Sequence, residues 1–189
     1  MITKEMIFKI LIVDDNAEIR EIVKEYLTNN DCIIEGANNG KEALEKYSSN
    51  PYDIIITDLK MPELSGIDLI KHIKQKTDVT EFIIITGYAS LDTAMEAVRL
   101  GAFDYIVKPF RMEELKVAVK NAKEKILLKK TNQELLEKLK NFYTELDRYS
   151  KQDKDSAALK NEEKDFGTER LVKEIKNLES LIKSRLMIE

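Results

Sequence analysis

The 189-residue chain contains one cysteine, Cys32, and one histidine, His72. A single cysteine excludes an intrachain disulfide and any cysteine-based metal cluster. Cys32 is therefore expected to be a small buried hydrophobe. His72 stands mid-helix beside Lys71 and near Lys74, and reads as a solvated face residue. A strong basic excess is also lacking. Net charge is −4; residues 1–110 carry 12 basic against 19 acidic side chains, and residues 111–189 carry 19 against 16. Neither part has the cationic surplus that binding a phosphate backbone requires, so direct nucleic-acid binding is not expected. Met1–Lys9 has no long apolar stretch of the signal-peptide kind, and no apolar run nears the length of a membrane span. A reducing, cytoplasmic setting is the expectation. There is no internal repeat. What remains is an apolar fraction of 43%, enough for a core, and a charged fraction of 35%, which suggests a solvated helical segment. The length allows one ordinary domain with an extension, or two small domains.

Apolar runs mark five strands. Phe8–Val13 is the first and ends on Asp14-Asp15-Asn16. Ile19, Ile22, Val23, Tyr26 and Leu27 then follow at helical spacing, with Asp15 or Asn16 as cap. Cys32–Glu35 is a short second strand, and Lys41–Tyr47 a second helix, broken by Asn50-Pro51. Ile54–Thr57 is the third strand and ends on Asp58; Ile67, Leu69, Ile70 and Ile73 mark the third helix. Phe82–Thr86 is the fourth strand, followed by a helix capped by Ser90 and closed by Gly101. Asp104–Lys108 is the fifth, ended by Pro109. Continuous β-branched runs without alternation are what strands covered on both faces look like. Strands alternating with helices predict an α/β fold, a parallel sheet with helices on both faces and right-handed crossovers.

The final helix begins near Met112, with Glu113 and Glu114 in the first turn, where negative charge suits the helix dipole. Leu115, Val119, Ala122 and Ile126 form one apolar stripe for the sheet. No glycine or proline then occurs until Gly167, and a second stripe takes over: Leu128, Asn132, Leu135, Leu139, Phe142, Leu146, Tyr149. Its alternating steps of four and three are a heptad pattern. A helix over 112–149 would be roughly 57 Å long at 1.5 Å per residue. Residues 150–168 are polar and poorly periodic and read as a linker; Leu171, Ile175, Leu178 and Ile182 mark an amphipathic helix over 169–188. The heptad stripe is open to two partners. One is a second chain, in a parallel coiled coil with Asn132 at a core position fixing register. The other is the Leu171–Ile182 helix of the same chain.

The strand ends gather Asp14-Asp15, Asp58, Thr86 and Lys108. In open α/β sheets ligands bind beyond the carboxyl ends of the strands. Crowded carboxylates repel one another, and a hard divalent cation relieves this; Mg²⁺ takes oxygen ligands and needs only one or two direct carboxylates. Lys108 adds a compact positive charge and Thr86 a hydroxyl, both suited to a phosphoryl group. A carboxylate can serve as nucleophile and form an acyl phosphate. Each residue also has a plainer reading: Asp58 and Asp14 as caps of the following turn or helix, Lys108 as a surface lysine, Thr86 and Tyr105 as ordinary strand residues. The segment Gly36–Lys41 is one residue short of a phosphate-binding loop, and Glu42 replaces its Ser/Thr, so it is rejected.

The set Asp14-Asp15, Asp58-Leu59-Lys60-Met61-Pro62, Thr86-Gly87 and Lys108-Pro109-Phe110 closely resembles response-regulator receiver domains of two-component signalling. The resemblance covers residues 6–122 in order and spacing. Thr86-Gly87-Tyr88-Ala89-Ser90 is most similar to receivers of the transcriptional-activator branch that precede an ATPase module. The resemblance implies a flavodoxin-like, doubly wound sheet of order 2-1-3-4-5. It implies that Asp58 accepts phosphate from a phosphohistidine on a sensor histidine kinase. Mg²⁺ would be bound by Asp15, Asp58 and the backbone carbonyl of Lys60, with Asp14 acting through water. Thr86 and Lys108 would grip the phosphoryl group, Tyr105 would swing inward when Thr86 is recruited, and the Lys108-Pro109 bond would be cis. Such a protein is a signalling phosphoacceptor rather than an enzyme. Its output would be helical association or partner binding, with a homodimer formed through the C-terminal helix or the face of helix 90–100 and strand 104–108. Two rivals differ in class. A phosphatase of the haloacid-dehalogenase type also uses Asp, Mg²⁺ and Lys, but needs a second Asp two residues after its nucleophile, where this chain has Asn16 and Ala17 after Asp14-Asp15. An unphosphorylated structural adaptor would have no use for the acidic and cationic set.

Overall fold

Five parallel strands, β1 (Phe8–Val13), β2 (Cys32–Ala37), β3 (Ile54–Thr57), β4 (Glu81–Thr86) and β5 (Asp104–Val107), form one sheet of order β2-β1-β3-β4-β5. This is the flavodoxin-like order that the motif set implied. The computed structural model describes residues 6–77 and 79–156, together with Lys173 and Lys176. Between the strands lie α1 (Ala17–Leu27), α2 (Gly40–Ser49), α3 (Gly66–Lys74) and α4 (Leu91–Arg99), and after them α5 (Met112–Ser156).

Side chains alternate across a strand, and here both sets are apolar because both faces are covered. Ile10, Ile12, Ile54, Ile56, Ile83 and Ile85 pack with Val23 and Leu27 of α1 and Leu115, Val119, Ala122 and Ile126 of α5. Leu11, Val13, Ile55, Phe82 and Ile84 pack with Ala43 and Tyr47 of α2, Leu69, Ile70 and Ile73 of α3, and Ala97 of α4. The first α5 stripe is therefore buried as expected. In α1, only the Val23 and Leu27 positions are buried, while Ile22 and Tyr26 are exposed.

The helix caps follow the residue chemistry. Asn16 accepts from the N–H groups of Glu18 and Ile19. Asn39 accepts from Glu42 and Ser65 from Asp68. Ser90 and Thr93 form a reciprocal capping box at α4. Gly101, at φ 69°, takes the left-handed conformation that ends α4.

Three boundaries differ from the sequence reading. β2 continues through Gly36 and Ala37, because its ladder to β1 runs unbroken from Phe8–Cys32 to Val13–Ala37. β5 stops at Val107, so Lys108, like Asp58 after β3, stands just beyond the ladder. α5 runs through Ser156, into the segment expected to be a linker. Residues 150–156 hold no glycine or proline to stop a helix. The rest of the expected linker and the 169–188 helix lie outside the described residues, apart from Lys173 and Lys176. The chain divides into two units, Met1–Leu127 and Leu128–Glu189. No helix among the described residues is long and apolar enough to cross a membrane.

At the amino ends of the strands α5 is held by charge. Lys123 Nζ lies 2.9 and 3.1 Å from the two Asp31 carboxylate oxygens and 2.8 Å from Cys32 Sγ. Lys125 Nζ lies 3.5 Å from buried Glu81. Cys32 is thus not the plain hydrophobe expected. It is half-buried, and its thiol also donates to Asp31, because the start of β2 lies under the lysines of α5. Burial pushes the Cys32 thiol up. Burial alone would also raise the Asp31 carboxyl, but hydrogen bonds from Lys123 and Cys32 outweigh it and hold Asp31 below its ordinary range. A depressed carboxyl contributes stability above its unfolded pKa of about 3.9 and loses that contribution as pH falls through the lower folded value. Lys123→Met keeps the aliphatic stem and removes the charge. It is expected to cost about 1 kcal/mol at neutral pH, a modest figure because Asp31 is half-exposed and screened. Denaturant titrations should show the gap between variant and wild type closing in acid, below Asp31's folded pKa.

Candidate functional site

Strand register builds the site. Val13 of β1 is opposite Thr57 of β3, so the next residues, Asp14 and Asp58, are neighbours beyond the ladder. Thr57 is opposite Ile84 of β4, which carries the chain two residues further to Thr86, and Thr86 is opposite Val107, which sets Lys108 beside it. Backbone bonds fasten the arrangement: Asp58 N–H donates to the Val13 carbonyl at 2.9 Å, and Lys108 N–H to the Thr86 carbonyl at 2.8 Å. The Lys108-Pro109 peptide bond is cis.

At the centre, Lys108 Nζ bridges two buried carboxylates, 2.7 Å from Asp14 Oδ2 and 2.6 Å from Asp58 Oδ2. The remaining oxygens are also engaged. Asp14 Oδ1 accepts from Asn16 N–H at 2.9 Å and Asp58 Oδ1 from Lys60 N–H at 3.2 Å. Burial by itself would lower the Lys108 pKa, but the hydrogen bonds to Asp14 and Asp58 and their charges raise it above the ordinary lysine range. Lys108 is therefore charged throughout the neutral range. Its contribution to stability is complete at neutral pH and is lost only as pH rises through that elevated value.

Asp15 is exposed next to this pair. Thr86 is fully buried, and its hydroxyl oxygen accepts from Tyr88 N–H at 3.1 Å. Tyr105 is half-buried on β5, and its hydroxyl pairs with Thr93 Oγ1 of α4 at 2.9 Å. His72 is exposed, as expected, with Nδ1 2.7 Å from the Asp68 carbonyl.

Four features were not visible in the sequence. Arg20 Nη1 donates to the Asp14 carbonyl at 2.6 Å, which holds the end of β1 from α1. Thr93 is the partner of Tyr105. The Lys60 ammonium sits 3.9 Å from the centre of the Tyr88 ring, so the loops after β3 and β4 touch across the mouth of the site. Gly66 packs so closely on Asp58 that a methyl group there would collide with the Asp58 carbonyl oxygen. Gly66 carried a usable signal, as a glycine opening a helix next to a strand-end carboxylate, and Lys60 and Tyr88 belong to the motifs of the resemblance, which did not show that they touch.

Among the described residues, no three His, Cys, Asp or Glu side chains are already gathered into a cation cage. The donor chemistry nevertheless suits a hard cation. Asp14, Asp15 and Asp58 offer only oxygen; Asp14 and Asp58 share a single lysine and Asp15 adds a third carboxylate beside them in the chain, an excess of negative charge that suits a divalent ion.

Residues 10–120 match the family model described as response regulator receiver domain. The chain is 40% identical over 114 residues to response regulator protein PilR of Pseudomonas aeruginosa, a match covering 60% of this chain and 26% of PilR. It is 37% identical over 122 residues to regulatory protein AtoC of Escherichia coli, covering 65% of this chain and 26% of AtoC. The chain thus spans about a quarter of the length of these curated relatives. Among solved structures, a response regulator receiver domain protein from Clostridium thermocellum superposes with a TM-score of 0.59 at 38% identity, covering 65% of this chain and 99% of that one. NtrX from Brucella abortus gives 0.63 at 29% identity, covering 69% and 30%.

Proposed function

The chain belongs to the response regulator receiver domain family of two-component systems, and on that premise we propose that Asp58 takes a phosphoryl group from a phosphohistidine of a sensor histidine kinase and stores it. The observation that carries the reading is the Lys108 ammonium held 2.7 and 2.6 Å from two buried carboxylates at the strand ends. The phosphorus–nitrogen bond of the donor breaks as a phosphorus–oxygen bond to the Asp58 carboxylate forms. Lys108 moves from Asp58 to an oxygen of the incoming group and neutralises part of its charge. Thr86 exchanges its Tyr88 N–H contact for a second phosphoryl oxygen. Tyr105 then leaves Thr93 and follows Thr86 inward, carrying the change to α4 and β5. Asp15, Asp58 and the Lys60 carbonyl are the residues that would hold Mg²⁺ directly, with Asp14 behind them. The bound ion supplies charge neutralisation to the transferring group, which is most of what phosphoryl transfer asks of a protein.

In this reading the receiver comprises residues 6–122, the continuation of α5 through Ser156 carries the response as a helix, and 169–188 form a second amphipathic helix. Phosphorylation shifts an existing equilibrium between two states of the α4–β5 face. The output is helical self-association or exposure of a partner surface, in the cytoplasm, with no turnover beyond the protein's own phosphorylation and slow dephosphorylation. The PilR and AtoC likenesses support a regulatory role of this kind.

The test uses acetyl phosphate as donor. With Mg²⁺, intact-mass measurement should find one added phosphoryl group per chain, labile to acid or base, and chelation of Mg²⁺ should suppress the uptake. No uptake in Mg²⁺ would overturn the reading in favour of a structural adaptor. Steady hydrolysis of many phosphate esters would overturn it in favour of a phosphatase.

A further inference from the structure

Past the sheet, one side of α5 is not that of a solvated helix. Asn132, Leu136, Leu139, Tyr143 and Leu146 are half-buried, and every residue between them, from Gln133 to Glu145, is exposed. Their steps of four, three, four and three trace one seam along the helix. Leu135 and Phe142, on the neighbouring side of the same turns, are 49% and 51% exposed. The helix backbone shades both sides alike, so the difference comes from something laid along the seam.

What touches the seam belongs to the same chain. Lys176 places its ammonium 5.4 Å from the centre of the Tyr143 ring, within cation–π range. Lys173 and Lys176 are both helical and both exposed. On a helix through these two lysines, Leu171, Ile175, Leu178 and Ile182 fall on the opposite side. The exposed lysines therefore leave the apolar stripe turned toward α5, and the long Lys176 stem reaches round its edge to the ring.

Direction follows from the extent of the covered run, which reaches from Leu146 back to Asn132. With Lys176 level with Tyr143, an antiparallel segment 169–188 lies alongside residues 150 down to 131, which includes the whole seam. A parallel one would lie alongside residues 136 to 155 and leave Asn132 open. Residues 157–168 suffice for the return, because the two helix ends then stand roughly 9 Å apart along the axis at 1.5 Å per residue. We propose that the α5 seam is a docking surface for the chain's own segment 169–188, laid antiparallel on it as a helical hairpin with Leu171, Ile175, Leu178 and Ile182 turned inward. The seam is closed from within, so a second copy or any other partner that uses it must first displace this segment. The inference does not depend on the phosphoacceptor role of Asp58.

The test uses the full chain carrying Cys32→Ser, which removes the one native thiol. Tyr143→Cys and Lys176→Cys are introduced together and bridged by a short bismaleimide over a series of protein concentrations. The product should have the mass of one chain, in a yield independent of concentration. That yield should exceed several-fold the yield of the pair Lys138→Cys and Lys176→Cys, since Lys138 lies on the exposed side. A product of two chains whose yield climbs with concentration would give the seam to a second copy and overturn the inference. A yield no greater than that of the Lys138 pair overturns it equally. Ile175→Glu with Leu178→Glu, in the otherwise native chain, should speed amide hydrogen exchange over residues 132–146 by about tenfold or more and leave exchange in β1, β3 and β4 as in wild type. Unchanged exchange over 132–146 would contradict the hairpin.

Discussion

Asp58→Asn is expected to abolish phosphoryl uptake from acetyl phosphate while the chain remains folded. The amide is close in shape to the carboxylate but has one acceptor oxygen, so it keeps only one of the two hydrogen bonds that now reach Oδ1 from Lys60 N–H at 3.2 Å and Oδ2 from Lys108 at 2.6 Å. It has no anionic oxygen with which to attack phosphorus, so the loss should be complete rather than graded. Stability should hold or rise slightly. Asp14 and Asp58 are both buried and share one ammonium, and neutralising one of two adjacent carboxylates removes repulsion that the fold otherwise bears. The measurement is intact mass after incubation with Mg²⁺ and acetyl phosphate, beside a denaturant titration. A variant that still gains one phosphoryl group would place the acceptor elsewhere in the chain. A variant that fails to fold would show Asp58 to be structural first.

Gly66→Ala should be the most damaging single methyl in the receiver. Gly66 opens α3, donates its N–H to the Leu59 carbonyl at 3.0 Å, and follows the cap residue Ser65. An added Cβ would drive into the Asp58 carbonyl oxygen and meet the Asp58 carbonyl carbon and Thr57 Oγ1 at 3.0 Å. Two of these three atoms are backbone, and Thr57 Oγ1 is itself committed to the Asp58 carbonyl at 2.9 Å. Nothing nearby can rotate away, so either the start of α3 or the Asp58 peptide must move. The cost is one of space, since Gly66 does not adopt a left-handed backbone. We expect about 3 kcal/mol of destabilisation, at the upper end of ordinary overpacking. We also expect slower labelling of Asp58 even where the variant is fully folded, because the displaced peptide carries the nucleophile. Unfolding free energy and labelling rate, measured on the same sample, check both parts. Native stability together with native labelling would contradict the close approach of α3 to Asp58.

The sheet was legible because its strands are buried on both faces. Ile54–Thr57 and Phe82–Thr86 carry no polar alternation, and a short β-branched run without alternation, bounded by turn residues, fits a strand covered on both faces. The caps Asn16 and Ser90 and the closing Gly101 were legible for the same local reason, since each residue type satisfies a helix end by its own chemistry. Exposure was less legible. Ile22 and Tyr26 match the helical period of α1 but face solvent, because period fixes a direction and not the width of the surface that covers it. The end of α5 was misplaced because a polar, weakly periodic stretch without glycine or proline can continue a helix as readily as end it. Cys32 was misjudged because its polar partners, Asp31 and Lys123, include one 91 residues away.

The sequence alone set the order of the candidate site residues along the chain: two acidic residues after β1, Asp58 after β3, Thr86 ending β4 and Lys108 at the close of the fifth strand, which the structure ends one residue earlier. It also determined that α5 would carry a heptad of apolar positions. These are properties of single segments, set by local pattern. Only the tertiary structure decided that one lysine would bridge Asp14 and Asp58, that Gly66 would lie against the Asp58 carbonyl, and that Tyr105 would be tied to Thr93. Each of these depends on strand register, or on one element lying against another. Distances of that kind arise from packing between segments far apart in the chain, and no local pattern encodes them.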